Sequence, residues 1–329
     1  MKTDVKVKEY EDFQQLIENR LEHIRLDRQP KELYEPVVYM LSFGGKRIRP
    51  VLLLMAFHLF EEQVEQALSP ALAMEVFHNF TLMHDDIMDK ASLRRGKATV
   101  HETWSSSTAI LSGDVMLIMA NELLSQVPDD LFKPVMHLFN QTAIQVCEGQ
   151  QWDMIFETKD DVSIADYMKM IGLKTASLLA ASLRMGGLLA RASVEDRHHL
   201  SQLGTHLGLA FQLRDDYLDV FGAPEKFGKK PGGDIVANKK TYMLLQAMEL
   251  AGNAEKKELG SWLATDKENS EKVRGVTEIY RKLGLPELVE QEVERHYSEA
   301  LRNLDAISVP DEKKQPLRKL GMRLMERSQ

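Results

Sequence analysis

The stretch Leu203–Asp219, LGTHLGLAFQLRDDYLD, decides the fold. Leu203, Leu207, Phe211 and Leu218 recur at spacings of four, four and seven, the period of an α-helix with a buried face. A second stripe runs beside them. Gly204 and Gly208 give a smooth wall with little side chain, and Gln212, Asp215, Asp216 and Asp219 continue it at i, i+3, i+4 and i+7. The helix is therefore apolar along most of its length and loaded with carboxylates near its C-terminal end. Like charges at i and i+4 repel, and the negative end of the helix dipole makes the repulsion worse. Something has to offset it.

Upstream, Ala71–Asp89 repeats the arrangement and closes on HDDIMD. Asp85 and Asp89 fall one turn apart, and at about 100° per residue Thr81 and His78 project onto the same stripe. Leu82, Met83 and Ile87 lie on other faces, available for packing. A conflict of this kind between packing and charge marks functional sites. In a chain with 50 acidic residues a single DDxxD reads as a solvated helix end. Two of them, each closing an apolar helix and each followed by a basic motif, read as metal ligands. Hard carboxylate oxygens without His or Cys partners select Mg²⁺ or Mn²⁺ over zinc.

Spacings of three and four dominate outward from these stretches, and alternating β-branched runs are scarce. The pattern predicts helices at 8–27, 31–43, 47–60, 69–90, 105–127, 129–152, 164–190, 195–221, 239–251, 254–265, 269–283, 286–304 and 312–327. Gly44-Gly45, Ser69-Pro70, Val127-Pro128, Gly232-Gly233, Leu285-Pro286 and Val309-Pro310 supply the turns. No linker, low-complexity tract or repeat divides the chain. The reading is one all-α helical-bundle domain over residues 1–329.

Composition removes several classes of function. A net charge of −8 argues against a nucleic-acid partner, which calls for clustered Lys and Arg. Cys147 is the only cysteine, so no intrachain disulfide can form and a reducing, cytoplasmic compartment follows. As a lone cysteine next to Val146, Cys147 reads as a packing residue, and Trp152 and the methionines read the same way. The charged N-terminus has no signal core, and the apolar run Val51–Phe57 is too short to span a bilayer, so no transmembrane segment is expected.

The cations bracket both acid motifs. GGKRIRP places Lys46, Arg47 and Arg49 beside a flexible turn, and LRRGK places Arg94, Arg95 and Lys97 directly after the first aspartates. Lys174-Thr175 interrupts an apolar segment, where an unpaired ammonium would be costly. Lys229-Lys230 sits in a Gly-rich loop after the second aspartates, and Lys239-Lys240-Thr241 opens the next helix. Arg supplies bidentate contacts to phosphate and Lys a point charge. Together they suit two polyanions, one bound through metals and the other bound directly.

In order, GGKRIRP, EVFH, HDDIMD, LRRG, EGQQWD, LKT, FQLRDDYLD and GKK–GGD–KKT resemble the motifs of the trans-isoprenyl diphosphate synthases, the polyprenyl synthetase family, over residues 40 to 245. The resemblance implies an all-α isoprenoid synthase fold around a deep central cavity, with both DDxxD motifs at its mouth. It implies that Asp85, Asp89 and Asp215 coordinate two to three Mg²⁺ ions, supported by Asp86, Asp216 and Asp219. Arg94, Lys174, Lys229 and Lys239 would contact an allylic diphosphate (dimethylallyl, geranyl or farnesyl). Lys46, Arg49, His78 and Arg95 would hold isopentenyl diphosphate, and Thr175 and Gln212 would face the reacting carbon. A homodimer is expected on the same ground. Departures are few: Gly233-Asp234 stands where many relatives have Ser-Asp, and Ala237-Asn238 precedes Lys239.

Product length in this family depends on bulk just upstream of the first DDxxD. Phe80 and Thr81 occupy that position, and HNFTLMHDDIMD, without an insertion between its second and third Asp, looks like enzymes making C15 or C20 products. Helical projection aligns Thr81 with Asp85 and puts Phe80 round the cylinder, so Phe80 rests on the resemblance. A medium- or long-chain synthase is the nearest alternative. From another class, Glu75-x-x-His78 and Glu195-x-x-His198 match a di-iron carboxylate bundle, although that reading leaves the Arg and Lys motifs without a role. A terpene cyclase would not need GGKRIRP or the double arginine.

Overall fold

In the computed structural model, which describes residues 9–24, 26–222, 232–265 and 270–326, the chain is all-α. The helices are α1 (Tyr10–Glu22), α2 (Lys31–Leu41), α3 (Ile48–His58), α4 (Leu68–Met88), α5 (Val100–Thr103) and α6 (Ser106–Leu124). They continue as α7 (Asp129–Thr158), α8 (Ile164–Ile171), α9 (Ser177–Leu189), α10 (Val194–Phe221) and α11 (Gly233–Val236). The last five are α12 (Tyr242–Leu250), α13 (Asn253–Leu263), α14 (Ser270–Lys282), α15 (Leu285–Ala306) and α16 (Asp311–Met325).

Each predicted helix is present, although α1 stops at Glu22 and not at the expected 27, and four further differences stand out. The expected helix over 164–190 carries a π-helical turn at Gly172–Ala176. Helix α7 runs six residues past the expected 152, to Thr158. The short helices α5 and α11 were not expected, being too short to show a period. Leu93–Arg94 and Lys97–Ala98 pair antiparallel as a two-residue hairpin, β1 and β2. Its turn, Arg95-Gly96, has φ of +52° and +77°, the double positive φ of a type I′ connection. Strands of two residues carry no alternation, and arginine seldom takes positive φ, so the sequence concealed them.

The chain divides into two compact units. The first comprises Met1–Gln141, Ala181–Ser201 and Ala306–Leu317. Its centre is α3, apolar on every face and buried from Pro50 to Phe57, as such a helix must be. Phe13 and Ile17 of α1 are buried as well, and Phe77 of α4 meets Phe139 edge to face at 5.1 Å. Gly113 lets α6 close on α4, because a Cβ there would stand 2.2 Å from His84 Nε2. The N-terminal half of α4 is buried, while its acidic end emerges half-exposed.

The second unit comprises Thr142–Ala180, Gln202–Asp305 and Arg318–Gln329. Gly204 and Gly208 do not form an open wall. A Cβ on either would stand 2.5 Å from the Cα of Ala180 or Ala176, so the glycines let α10 approach the π turn and the start of α9 closely. Gly149 of the EGQQWD motif does the same for α7, with a Cβ there 2.3 Å from Lys174 N.

Two packing expectations fail. Trp152 is 38% exposed, and Cys147 is exposed. Ser106–Leu124 is long and apolar enough to cross a membrane by length and composition alone, though Ala109, Ser112, Gly113, Met116 and Ala120 are buried on one of its faces.

Candidate functional site

In the first unit, the acidic end of α4 separates its three aspartates by exposure. Asp86 is buried at 2% and accepts from Arg94 Nε at 2.9 Å on both oxygens, with Arg94 Nη2 at 2.8 Å. Asp89, the C-cap residue of α4, is exposed, and Asp85 is half-buried one turn before it. The hairpin carries Arg94 back beneath the helix end. Arg94, expected on a diphosphate, thus holds Asp86 in the ligand-free chain.

Beside this helix end lies a concentration of positive charge. Arg49 Nη1 meets His78 Nε2 at 2.9 Å. Burial, followed by the fields of Arg49, Arg95, Arg94 and Arg47, pushes the His78 imidazolium well below the ordinary histidine range, so the ring stays neutral. Burial also lowers Arg49 to about 10, an effect its neighbour Arg95 adds to. Besides Asp86 on Arg94, Glu75 answers the cluster. Glu75 is salt-bridged to Arg47 at 2.5 Å with both side chains 5% exposed, and it also accepts from Asn79 at 3.0 Å. Arg47 is therefore structural, which its burial at 7% confirms. Arg49 Nε is buried without a hydrogen-bond acceptor. A buried donor left unsatisfied costs roughly 1–3 kcal/mol, so this atom favours an incoming anion oxygen. Lys46 is exposed on the turn ahead of α3, and Arg95 donates to Gly44 O from the hairpin turn.

Phe80 and Thr81 sit half-buried on α4. The Phe80 ring packs between Phe77 at 5.6 Å and His84 at 4.7 Å, and the Thr81 hydroxyl donates to His78 O at 2.8 Å.

In the second unit, a cavity of about 130 Å³ is lined by Lys174, Thr175, Gln212, Asp216 and Lys239, with Asp153 and Tyr167. The family resemblance gives roles to five of these residues, and the fold brings those five to one cavity. The π turn sets Lys174 and Thr175, one extra residue per turn re-aiming side chains as π-bulges do at functional sites. Thr175 donates to Gln212 Oε1 at 3.0 Å, and Gln212 Nε2 donates to Asp216 Oδ1 at 3.0 Å. Lys174 is paired with Asp153 at 2.6 Å, so its ammonium is not left alone in the apolar segment. Tyr167 donates its hydroxyl to the other oxygen of Asp216. Burial, aided by the Asp234 charge, raises Asp216 to about 7. Asp215 is half-buried on the same helix end. Asp219 accepts from the Asp234 amide at 2.9 Å, which ties the chain re-entering at Gly232 to α10. Lys229 lies outside the described residues.

The Asn238 departure is accommodated. Asn238 has φ +56°, a conformation Asn tolerates. Its amide donates to Leu263 O at 3.0 Å and accepts from the fully buried Lys272 at 2.6 Å. The backbone entering Lys239 is thereby fixed. Lys240 instead donates to Phe156 O at 2.7 Å, near the end of α7.

Sequence reading missed Glu75 as the partner of Arg47, Asp153 as the partner of Lys174, and Tyr167 as the partner of Asp216. The last two pairs lie 21 and 49 residues apart, and only the fold joins them. The Glu-x-x-His reading does not hold. Glu75 is committed to Arg47 and Asn79, and Glu195 and His198 are exposed at the start of α10. The hard oxygen donors of Asp85 and Asp89 in the first unit, and of Asp215 in the second, each on a helix end that repels itself, suit a divalent cation.

Comparison with known proteins agrees. Residues 30–280 match the family described as polyprenyl synthetase. The geranylgeranyl diphosphate synthase of Methanosarcina mazei is 37% identical over 271 residues, 80% of this chain and 83% of that protein. A crystal structure of a geranylgeranyl pyrophosphate synthase superposes with a TM-score of 0.93 at 42% identity, covering 98% of this chain and all of that one. The geranylgeranyl pyrophosphate synthase of Corynebacterium glutamicum, solved with isoprenyl diphosphate and magnesium, superposes with a TM-score of 0.88 at 27% identity, over 97% of this chain and 100% of that one.

The Tyr167–Asp216 bond generates a prediction. Tyr167→Phe removes the donor and leaves a buried carboxylate with the Gln212 amide alone. Mn²⁺ affinity in the presence of inorganic diphosphate, followed by electron paramagnetic resonance, is expected to fall roughly tenfold, as for a hydrogen bond to a charged group. Unchanged affinity would show that Tyr167 has no part in holding the acid motif.

Proposed function

Because the chain belongs to the polyprenyl synthetase family, we propose that it is a divalent-metal-dependent short-chain trans-prenyltransferase. It condenses isopentenyl diphosphate 1′-4 with dimethylallyl, geranyl and farnesyl diphosphates and ends at the C20 product. The whole of residues 1–329 is read as one polyprenyl synthetase domain. The observation that carries the reading is the pairing of two kinds of anion site. Hard carboxylates stand on two helix ends, and a separate group, Arg49 and Arg95, stands beside a neutral His78 and holds the unsatisfied Arg49 Nε. A cyclase, which uses one diphosphate, has no need of the second.

Asp85, Asp89 and Asp215 are the proposed ligands of two to three Mg²⁺ ions, with Mn²⁺ able to substitute, and Asp86, Asp216 and Asp219 are their supports. When bound, the metal supplies Lewis-acid neutralisation of the departing diphosphate. Arg94, Lys174, Lys229 and Lys239 add positive charge to that leaving group as the allylic C–O bond breaks and the diphosphate departs with the electron pair. The double bond of isopentenyl diphosphate, held by Lys46, Arg49, His78 and Arg95, then attacks the allylic carbon. The cation that results loses a proton to the departed diphosphate, so no protein base is required. Thr175 and Gln212 present neutral dipoles to the cation and cannot capture it covalently as a carboxylate could. In the ligand-free chain Asp86 and Asp153 hold Arg94 and Lys174 at 2.8 and 2.6 Å, so these cations wait paired and not as costly unpaired charges.

The half-buried Phe80, packed on Phe77 and His84, is proposed as the floor that ends elongation. The exposed apolar side of α6, with Ile110, Leu111 and Ile118 at 45%, 57% and 61% exposure, is proposed as part of a homodimer surface.

Incubation with labelled isopentenyl diphosphate, Mg²⁺ and each allylic primer, followed by product chromatography, tests the activity. A C20 product is expected from the native chain and longer products from Phe80→Ala. No elongation from any primer would overturn the activity, and an unchanged profile in the variant would overturn the floor. Light scattering on the same preparation is expected to give the mass of a dimer; a monomer would remove the α6 surface from the reading.

A further inference from the structure

The turn that carries Lys46 is conformationally costly. Gly44, Gly45 and Arg47 have φ of +67°, +139° and +48°, and Arg47 takes positive φ without the freedom of glycine. Three consecutive carbonyls of this turn are each taken by a side chain from elsewhere in the first unit. Arg95 donates to Gly44 O, Gln14 Nε2 to Gly45 O at 3.4 Å, and Tyr10 to Lys46 O. Tyr10 and Gln14 stand at i and i+4 on α1, the same face one turn apart. Glu18, Leu21 and Glu22 line a cavity of about 390 Å³ that Gly44 and Arg47 also border. Two hydrogen bonds thus tie α1 to the turn.

We propose that Tyr10 and Gln14 are positioning residues for the isopentenyl diphosphate site. They latch the turn from α1 so that Lys46 is presented without the entropy cost of ordering a strained loop on binding. The inference rests on the reading of Lys46 as a ligand of that substrate. α1 thus acts on substrate affinity through backbone carbonyls, without a side chain in the site. Neither residue belongs to a motif around the acidic helices. Holding a flexible loop in its bound form raises affinity by reducing the ordering cost, so the effect falls on binding and not on the chemical step.

Tyr10→Phe deletes one oxygen from a half-buried ring, and Gln14→Leu deletes the second donor. With Tyr10→Phe, KM for isopentenyl diphosphate is expected to rise roughly fivefold, the size of one modest hydrogen bond. KM for the allylic primer, kcat and the thermal midpoint are expected to stay at native values. The double variant is expected to raise KM further. Lys46→Ala serves as the control for the underlying reading. If Lys46→Ala raises KM for isopentenyl diphosphate and Tyr10→Phe does not, the latch is overturned while the site reading stands. If Lys46→Ala leaves KM unchanged, the site reading itself fails. Equal rises for both substrates together with a lowered thermal midpoint would make the two bonds a general stabiliser, and would also overturn the latch.

Discussion

Carboxylates stacked one turn apart at the C-terminal end of a helix repel one another, and the helix dipole opposes them as well. The chain builds this situation twice, at Asp85–Asp89 closing α4 and at Asp215–Asp219 near the end of α10. Much of the remaining architecture answers it. In each motif the middle acid is turned inward and given donors, Arg94 for Asp86 and Tyr167 with Gln212 for Asp216. The outer acids are kept half-buried or exposed, where a hydrated divalent cation can reach them. The glycines at 149, 204 and 208 serve the same end, because they let helices close tightly enough to set the π turn beside α10.

Cations carry the second half of the account. A site for two diphosphates needs several positive groups, and these would repel one another if left bare. Asp86 and Asp153 each hold one cation while no substrate is present, and His78 remains neutral among four arginines. A neutral imidazole donates or accepts a hydrogen bond without adding to the repulsion. The orphaned Arg49 Nε then marks a place where an anion oxygen gains more than it would on open surface.

The helices were legible because amphipathic periodicity is a local signal, and α8 and α14 show it plainly. The acid motifs were legible because charge in an apolar helix is a visible conflict. The hairpin at Leu93–Ala98 was not, since its turn depends on positive φ at Arg95 and Gly96 and not on composition. The π turn at Gly172–Ala176 was hidden for a different reason. It sits against Gly149, which lies 25 residues before Lys174 in the chain and so outside any local sequence signal. Tyr167 and Asp153 look like an ordinary core aromatic and a surface acid until the fold supplies their partners. Trp152 and Cys147 misled in the other direction, since apolar character does not by itself say which face of α7 is covered.

We propose that one diphosphate is held through metal and the other by side chains alone. Calorimetric titration separates the two directly. Isopentenyl diphosphate should bind with nearly the same Kd in Mg²⁺ and in EDTA. A non-ionising thiolo analogue of the allylic diphosphate should lose at least roughly tenfold, about 1.4 kcal/mol, when the metal is removed. Equal binding of the allylic analogue in EDTA, or loss of isopentenyl diphosphate binding with the metal, would contradict the account.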